Sequence, residues 1–111
     1  MVSTSKYVYG ERDILEVRYT LGLIYFIITD EYGRFVSCEF SEDKALNFLT
    51  VLSGKKSTKE IDRIGTLMYL EPLIDGGFSV SIKSKATIKG LTLNQEQTKE
   101  LVHLFQRVEK Q

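Results

Sequence analysis

Apolar and polar residues follow one another along the first half of the chain in an order that predicts three strands and a helix. Residues 14–19 alternate apolar with charged positions, residues 23–29 are a run of aromatic and β-branched side chains, and residues 34–40 alternate again. Such patterns are typical of half-buried and deeply buried strands. A helix is predicted at residues 41–53, because Ser41 suits an N-cap, acidic residues follow it, and apolar residues recur at helical spacing.

The second half of the chain repeats this order after a polar linker at residues 55–63. Strand patterns occupy residues 64–70, 78–82 and 86–93. Asn94 then suits the N-cap of a helix whose apolar residues form one stripe. The order of three strands and one helix is therefore used twice.

Two shifts of the residue number superimpose the halves. A shift of 53 places Phe35 on Ile88 and aligns the strand and helix that follow. A shift of 50 aligns the earlier strand, with Ile14 on Ile64. A short insertion near a turn would account for the change of shift.

These matches predict the fold class. We expect an α+β fold of tandem β-β-β-α units at residues 12–54 and 63–109, within a single domain at residues 1–111. The units form antiparallel sheets with two packed helices, related by a pseudo-two-fold axis within one chain. A three-stranded sheet with one helix covers only one of its own faces well, which is a physical reason for two units to pack together.

The composition is that of an ordinary globular domain, with 111 residues, 42% hydrophobic and 27% charged. No apolar run approaches the roughly 18 residues that a membrane-spanning helix needs, so no membrane partner is expected. The first residues, MVSTSKYVYGERD, lack the apolar core of a signal peptide, which predicts a cytoplasmic or otherwise intracellular protein. Lys plus Arg and Asp plus Glu both number 15, so a polyanion would have to bind a local basic patch.

Catalytic chemistry has little support in the sequence. His103 is the only histidine, and it lies beside the apolar stripe of the second predicted helix without an evident partner for acid–base work. Cys38 is the only cysteine, and its alternation with Val36 and Phe40 points it toward the predicted core. We therefore expect no enzymatic activity, no metal site and no cofactor.

One set of residues in the second half has a recognisable order. A strand opens with Ile-Gly and carries Tyr four positions after the glycine, a later Lys-Gly precedes an apolar strand, and a helix starts near Glu-Gln. The residues concerned are Ile64, Gly65, Tyr69, Lys89, Gly90, Leu91, Thr92, Leu93, Asn94, Glu96 and Gln97. They resemble the single-stranded-DNA-binding core of the transcriptional coactivator family known as positive cofactor four, over about residues 63–106.

The resemblance implies a function and an assembly. In that family two such units pair as a dimer whose sheets present strands to unpaired bases, and the related Whirly fold carries two comparable units in one chain. Arg18-Tyr19 in the first half occupies the place of the family's Arg-Tyr. The resemblance thus implies a sheet surface for single-stranded nucleic acid and a role in transcription or replication.

Single-stranded nucleic acid needs cations along its phosphates and exposed rings on which bases stack. Lys83, Lys85 and Lys89 fall in the acid-free stretch SIKSKATIK. Tyr25 alternates out of phase with its apolar neighbours, so we expect it to face away from the core. The candidate binding residues are Arg12, Arg18, Tyr19, Tyr25, Arg34, Tyr69, Lys83, Lys85 and Lys89.

Two functions follow from different features of the sequence. The leading hypothesis is a non-catalytic protein that binds single-stranded DNA or RNA on a sheet surface. The alternative is a protein-interaction module, such as a small regulator or inhibitor of a partner protein, and the neutral net charge favours it. A homodimer formed through an exposed edge strand is a further arrangement that the sequence allows.

Overall fold

The chain folds into two four-stranded antiparallel sheets and two helices. The computed structural model describes residues 3–110. The first sheet has the order β1-β2-β3-β4, with β1 at Thr4–Tyr9, β2 at Ile14–Thr20, β3 at Leu23–Thr29 and β4 at Phe35–Ser41. A 3₁₀ turn at Glu42–Lys44 then leads into helix α1 at Ala45–Gly54.

The second sheet repeats this order. Its strands are β5 at Thr58–Ile61, β6 at Leu67–Pro72, β7 at Phe78–Lys83 and β8 at Ile88–Leu93, in the order β5-β6-β7-β8. Helix α2 follows at Gln95–Glu109. Within residues 3–110, neither helix is long and apolar enough to cross a membrane.

These elements confirm the α+β class and the two repeated units. Each unit has four strands where the sequence predicts three, because β1 and β5 have too little hydrophobic pattern to be predicted. An edge strand pairs with one neighbour and buries little apolar surface, so its hydrophobic signal is weak. Val8 is the single fully buried side chain of β1, and β5, with the sequence TKEI, has none.

The two predicted helix starts have different outcomes. Asn94 caps α2 as predicted, with its side chain accepting from the Gln97 backbone N–H at 2.8 Å and the Gln97 side chain accepting from the Asn94 N–H at 2.8 Å. Ser41 also acts as a cap, since its hydroxyl accepts from the Asp43 N–H at 3.4 Å. The turn that follows Ser41 is 3₁₀, however, and the α-helix begins only at Ala45.

The strand register corrects the repeat at one strand. Ile14 lies in the cross-strand row that ends at Phe35, and Leu67 lies in the row that ends at Ile88. Because Phe35 and Ile88 are equivalent, Ile14 corresponds to Leu67, and the shift of 53 holds here too. The predicted equivalence with Ile64 is wrong, since Ile64 lies in the turn before β6 rather than in a strand.

Because of this correction, Tyr19 and Tyr69 are no longer equivalent positions. The shift of 50 superimposes Tyr19 on Tyr69, but the two shifts differ by an odd number, and an odd slip moves a residue to the other face of a sheet. Tyr19 pairs with buried Ile24 on the inner side of the first sheet. Tyr69 lies between buried Met68 and Leu70 on its strand and points outward.

One hydrophobic core joins the inner faces of both sheets to both helices. Phe26 of β3 lies 5.1 Å from Phe48 of α1 and 6.0 Å from Phe105 of α2, measured between ring centroids. Aromatic pairs at these distances stabilise a core beyond the area they bury. Cys38 is 2% exposed within this core, which confirms its predicted direction. The two units therefore share a core instead of folding around separate ones.

Three hairpin turns share one arrangement. In each five-residue turn the first N–H donates to the fifth carbonyl, and the first carbonyl accepts from the N–H of a glycine at the fourth position. The turns begin at Asp30, Asp62 and Leu73, and their glycines, Gly33, Gly65 and Gly76, have φ of 82°, 93° and 93°. A side chain would be strained at these angles, which explains the glycines.

Two of these turns reach across to the opposite sheet through their aspartates. Asp30 Oδ2 accepts from Lys89 Nζ of β8 at 2.7 Å, and the two side chains are 11% and 13% exposed. Asp62 Oδ2 accepts from the Glu39 backbone N–H of β4 at 3.2 Å, and Asp62 is 8% exposed. We call these contacts the Asp30 clasp and the Asp62 clasp. Each sheet thus sends one turn to the edge strand of the other.

The Asp30 clasp affects the ionisation of its carboxyl group. The hydrogen bond from Lys89, together with those from the backbone N–H groups of Arg34 and Tyr32, lowers the pKa of Asp30 from 3.8 to about 2. The carboxylate therefore stays charged down to strongly acidic pH.

Candidate nucleic-acid interface

Each sheet buries one face against the core and turns the other face outward. Residues paired across antiparallel strands point to the same side, so the register shows which side chains share a face. The second-sheet face consists mainly of Lys59, Ile61, Leu67, Tyr69, Ser81, Lys83, Ile88 and Gly90. The first-sheet face consists mainly of Tyr7, Tyr9, Ile14, Glu16, Arg18, Tyr25, Phe35 and Glu39.

Tyr69 lies near the middle of the second-sheet face. Lys59 is paired with it on one side and Ser81 on the other, and Lys83 is its diagonal neighbour on β7, at about 7–8 Å in a regular sheet. Gly90 follows Ser81 in the same cross-strand row, and a Cβ atom there would lie 2.9 Å from Ser81 Oγ, so glycine suits this position. The half-buried tyrosine therefore has one lysine opposite it on β5 and a second lysine diagonal to it on β7, with the small residues Ser81 and Gly90 in its cross-strand row.

The lysines near Tyr69 are free to bind an anion. In the described part of the chain no carboxylate oxygen lies within 4.0 Å of the ammonium groups of Lys59, Lys83 or Lys85. Lys85 lies in the turn between β7 and β8, at one end of the face. Glu71 is the acidic residue of this face, at the opposite end of β6. The second-sheet face therefore has a local excess of positive charge in a chain whose net charge is zero.

Arg12 borders the second-sheet face from the other unit. A surface pocket of about 420 Å³ is lined by the turn that contains Arg12 on one side and by Gly90 and Thr92 of β8 on the other. Arg12 is exposed and has no carboxylate within 4.0 Å among residues 3–110. A cation from the first unit is thus added at the β8 edge of the face.

The first-sheet face is richer in rings. Tyr9 is 67% exposed and Phe35 is 65% exposed, and both lie in the outermost row together with Ile14. Tyr7 is also exposed, and Tyr25 is half-buried with its side chain outward, which confirms the direction predicted for Tyr25.

Charges on the first-sheet face are neutralised within the protein. Arg18 grips Glu16 with two hydrogen bonds, Nε to Oε2 at 2.9 Å and Nη2 to Oε1 at 3.0 Å, and the hydroxyls of Ser5 and Tyr7 also donate to this carboxylate. Burial alone would raise the pKa of Glu16, but the hydrogen bonds from Arg18, Ser5 and Tyr7 outweigh it and lower the pKa. Arg18 therefore offers little free charge to a ligand.

Three other predicted residues lie away from the second-sheet face. Tyr19 packs toward the core, and its hydroxyl donates to the Glu42 carboxylate, which raises the pKa of Tyr19. Arg34 lies in the β3–β4 turn, with Nε 3.2 Å from Asp30 Oδ2. Lys89 points to the inner side of its sheet and forms the Asp30 clasp. The stretch SIKSKATIK is therefore divided, with Lys83 and Lys85 outward and Lys89 inward.

The structure thus brings together Arg12, Tyr69, Lys83 and Lys85 from the predicted set. It adds Lys59, which the sequence places in a linker because β5 is too short and polar to show a strand pattern. The available signal was the order Thr58, Lys59, Glu60, Ile61, in which Lys59 and Ile61 share the outward side.

Other chemistry is sparse in the described part of the chain. Residues 3–110 contain no group of three His, Cys, Asp or Glu side chains that could hold a metal ion. Burial raises the pKa of the Cys38 thiol far above its ordinary value, which makes it a poor nucleophile.

Comparison with known proteins shows the fold alone. The sequence matches no protein-family model, and no curated protein matches it. The structure is similar to a crystal structure of MRP1/MRP2 from Trypanosoma brucei, with a TM-score of 0.74 and 12% sequence identity. The match covers 96% of this chain and 83% of that chain. At this identity the likeness establishes a shared architecture and carries no residue roles.

Proposed function

We propose that the protein binds single-stranded DNA or RNA on the second-sheet face and catalyses no reaction there. The observation that carries the proposal is the position of Tyr69 beside Lys59 and Lys83, two lysines without a carboxylate partner among residues 3–110. The face combines a ring and free cations, which are the two requirements for this ligand.

Each element of the face has a separate role. The ammonium groups of Lys59, Lys83 and Lys85 and the guanidinium of Arg12 would contact phosphates, which releases counterions and makes affinity depend on salt. The Tyr69 ring would stack on a base, a contact that contributes about 1–3 kcal/mol. Since lysines contact phosphates and a ring stacks on any base, we expect little sequence preference.

The proposal includes the setting in which such a ligand occurs. Single strands arise inside cells during transcription and replication, and we propose an intracellular protein that acts in one of these processes. The resemblance of residues 63–106 to positive cofactor four supports this part of the proposal.

Fluorescence anisotropy with labelled oligonucleotides tests the proposal. Single-stranded DNA, single-stranded RNA and duplex DNA of one sequence are titrated with the full chain across a salt series. Single strands are expected to bind more tightly than the duplex, because a duplex hides the base faces that Tyr69 would contact. Absence of binding at low salt, where attraction is least screened, would refute the proposal. If duplex and single strands bind equally well, the interaction consists of charge attraction to phosphates, and base stacking on Tyr69 is excluded.

The first-sheet face supports a second candidate function, the binding of a partner protein. Tyr9 and Phe35 are large, exposed and adjacent to Ile14, while Arg18 and Glu16 cancel each other. Exposed aromatic residues with few free charges are typical of the central part of protein interfaces.

Photo-crosslinking in the native host separates the two functions. A photoreactive amino acid at Phe35 is expected to capture one protein if the second function holds, and the same probe at Tyr69 is expected to capture nucleic acid. If both positions capture nucleic acid alone, the protein-interaction function fails. A crosslink from Phe35 to a second copy of the chain would identify a homodimer as the occupant.

A further inference from the structure

A polar pocket of about 430 Å³ opens where α2 runs beside the edge strand β1, and neither sheet face includes it. Its lining residues are Lys6, Glu100, His103, Gln106, Arg107 and Lys110. With 3.6 residues per turn, the four lining residues of α2 and its C-cap residue Lys110 fall within an arc of about 120° on one side of the helix. Lys6 joins them because it points to the inner side of β1, as buried Val8 does. Helix and strand thus contribute to one recess.

The recess has an excess of positive charge. Lys6 Nζ lies 2.7 Å from Glu100 Oε2, so these two charges cancel. Neither Arg107 nor Lys110 has a carboxylate oxygen within 4.0 Å in the described chain. Three cations and one acid give a net charge of 3 − 1 = +2 at this recess, with His103 counted as neutral, in a protein whose net charge is zero.

A helix C-terminus favours cations in its last turn, since its carbonyl groups carry partial negative charge. This effect explains Arg107 and Lys110 as stabilising residues of α2, but it does not explain the presence of Lys6 from another element or the recess between them. The two explanations also predict different effects of removing these cations. A dipole effect alone would lower the stability of the protein, whereas a ligand site would lose affinity for its ligand.

We propose that this pocket binds a phosphate group. The planar guanidinium of Arg107 can donate two parallel hydrogen bonds to a phosphate, and the Lys110 ammonium adds a mobile point charge. The Gln106 amide and the His103 ring supply further hydrogen-bond donors at the same recess. The proposal does not depend on nucleic-acid binding at the second-sheet face.

An NMR titration of the isotope-labelled full chain with inorganic pyrophosphate tests the proposal. We expect saturable shifts of the amides of Lys6 and of residues 103–110. The double variant Arg107→Gln/Lys110→Gln is expected to bind pyrophosphate at least about tenfold more weakly than wild type, because it loses charge-assisted hydrogen bonds. Arg107→Lys keeps the positive charge but loses the two parallel donors of the guanidinium. Its affinity for pyrophosphate is therefore expected to lie between those of wild type and the double variant.

A matched control removes equal charge elsewhere. Lys83→Gln/Lys85→Gln is expected to leave pyrophosphate affinity at this pocket unchanged. The proposal is overturned if wild type and the Arg107/Lys110 variant titrate alike, or if the Lys83/Lys85 control loses as much affinity. It is also overturned if the Arg107/Lys110 variant lowers the melting temperature while the pyrophosphate shifts stay as in wild type, because that result belongs to the helix dipole alone.

Two sources supply this chemistry, the terminal phosphate of a nucleic-acid strand and a small phosphorylated compound. Oligonucleotides with a 5′-phosphate and with a 5′-hydroxyl distinguish them. Stronger shifts at the pocket from the 5′-phosphate form assign the site to strand ends. Equal effects of the two forms, combined with saturable pyrophosphate binding, assign it to a small phosphorylated ligand.

Discussion

The outward faces of the two sheets differ, although their strands have the same order. The first-sheet face carries the rings of Tyr7, Tyr9, Tyr25 and Phe35, but its charges cancel. The second-sheet face carries the single ring of Tyr69 among lysines that have no carboxylate partner in residues 3–110. The number of rings is therefore a poor guide to a binding surface, because the partners of the cations decide whether an anion is attracted.

One pair of equivalent positions explains much of this difference. Under the shift of 53, Glu16 of β2 corresponds to Tyr69 of β6. Glu16 collects hydrogen bonds from Arg18, Ser5 and Tyr7, whereas Tyr69 at the equivalent position leaves its neighbouring lysines free. A carboxylate in one unit and a ring in the other thus give equivalent surfaces opposite properties.

Reversing the charges of the second-sheet face is expected to have the largest effect. Lys59→Glu/Lys83→Glu/Lys85→Glu should weaken single-strand binding by about a hundredfold or more and reduce the salt slope by about 0.7 per lost phosphate contact. All three side chains are exposed, so circular dichroism should show an unchanged fold. Anisotropy across a salt series measures both quantities. If this variant binds single strands as tightly as wild type, the ligand does not bind on the second-sheet face.

Removing single rings tests the comparison directly. Tyr69→Ala should weaken binding by about 1–3 kcal/mol with a nearly unchanged salt slope, because stacking involves no counterion. Tyr25→Ala, from the first-sheet face, is the matched control and should have a much smaller effect. If Tyr25→Ala weakens binding as much as Tyr69→Ala does, the bound nucleic acid contacts the outward faces of both sheets.

Freeing a cation on the first-sheet face should produce a gain. Glu16→Gln removes the carboxylate that holds Arg18, so we expect single-strand affinity to rise by about twofold to tenfold. Arg18→Gln in the wild-type background should change affinity by less than about twofold, since this guanidinium is already paired. If Arg18→Gln causes a large loss of affinity, Arg18 contacts the ligand and its charge is not neutralised by Glu16.

Lys89 is expected to affect acid stability and to leave binding nearly unchanged. The folded-state pKa of Asp30 lies below its ordinary 3.8, at about 2, so the Asp30 carboxylate stabilises the fold fully above pH 3.8 and loses this contribution as pH falls to about 2. Lys89→Gln removes the main cause of the lowered pKa. Urea unfolding at pH values across this window should show a smaller loss of stability on acidification in the variant than in wild type. If wild type and the variant lose the same amount of stability on acidification, the Asp30 clasp is not the cause of that loss.

The sequence predicts the buried strands and the helices because their apolar periodicity is strong. It misses β1 and β5 because polar edge strands are stabilised by backbone pairing, which leaves little pattern. The direction of Lys89 was within reach, since Leu91 and Leu93 share its phase and Leu93 is buried. Its partner Asp30 was not, because the contact joins residues 59 positions apart.

The composition of the candidate site was harder to predict than the fold. Arg18 and Lys83 look alike in the sequence, each in a strand with a charge that alternates outward. Their difference lies in cross-strand neighbours, which depend on register. Glu16 lies two residues before Arg18 on the same strand and captures its charge, while Lys83 pairs with Leu67 and Ile88 and remains free.

The two clasps also determine when the chain can finish folding. The Asp62 clasp joins residues 23 positions apart, whereas the Asp30 clasp joins residues 59 positions apart and needs β8. Contacts between distant residues slow folding, because the loop between them must be closed before they contribute. During synthesis the first sheet therefore emerges before Lys89 can contact the Asp30 carboxylate, and with its edge strand β4 uncovered by the second unit. The nascent chain passes through an interval of exposed strand edges, in which chaperone binding or aggregation competes with completion of the fold.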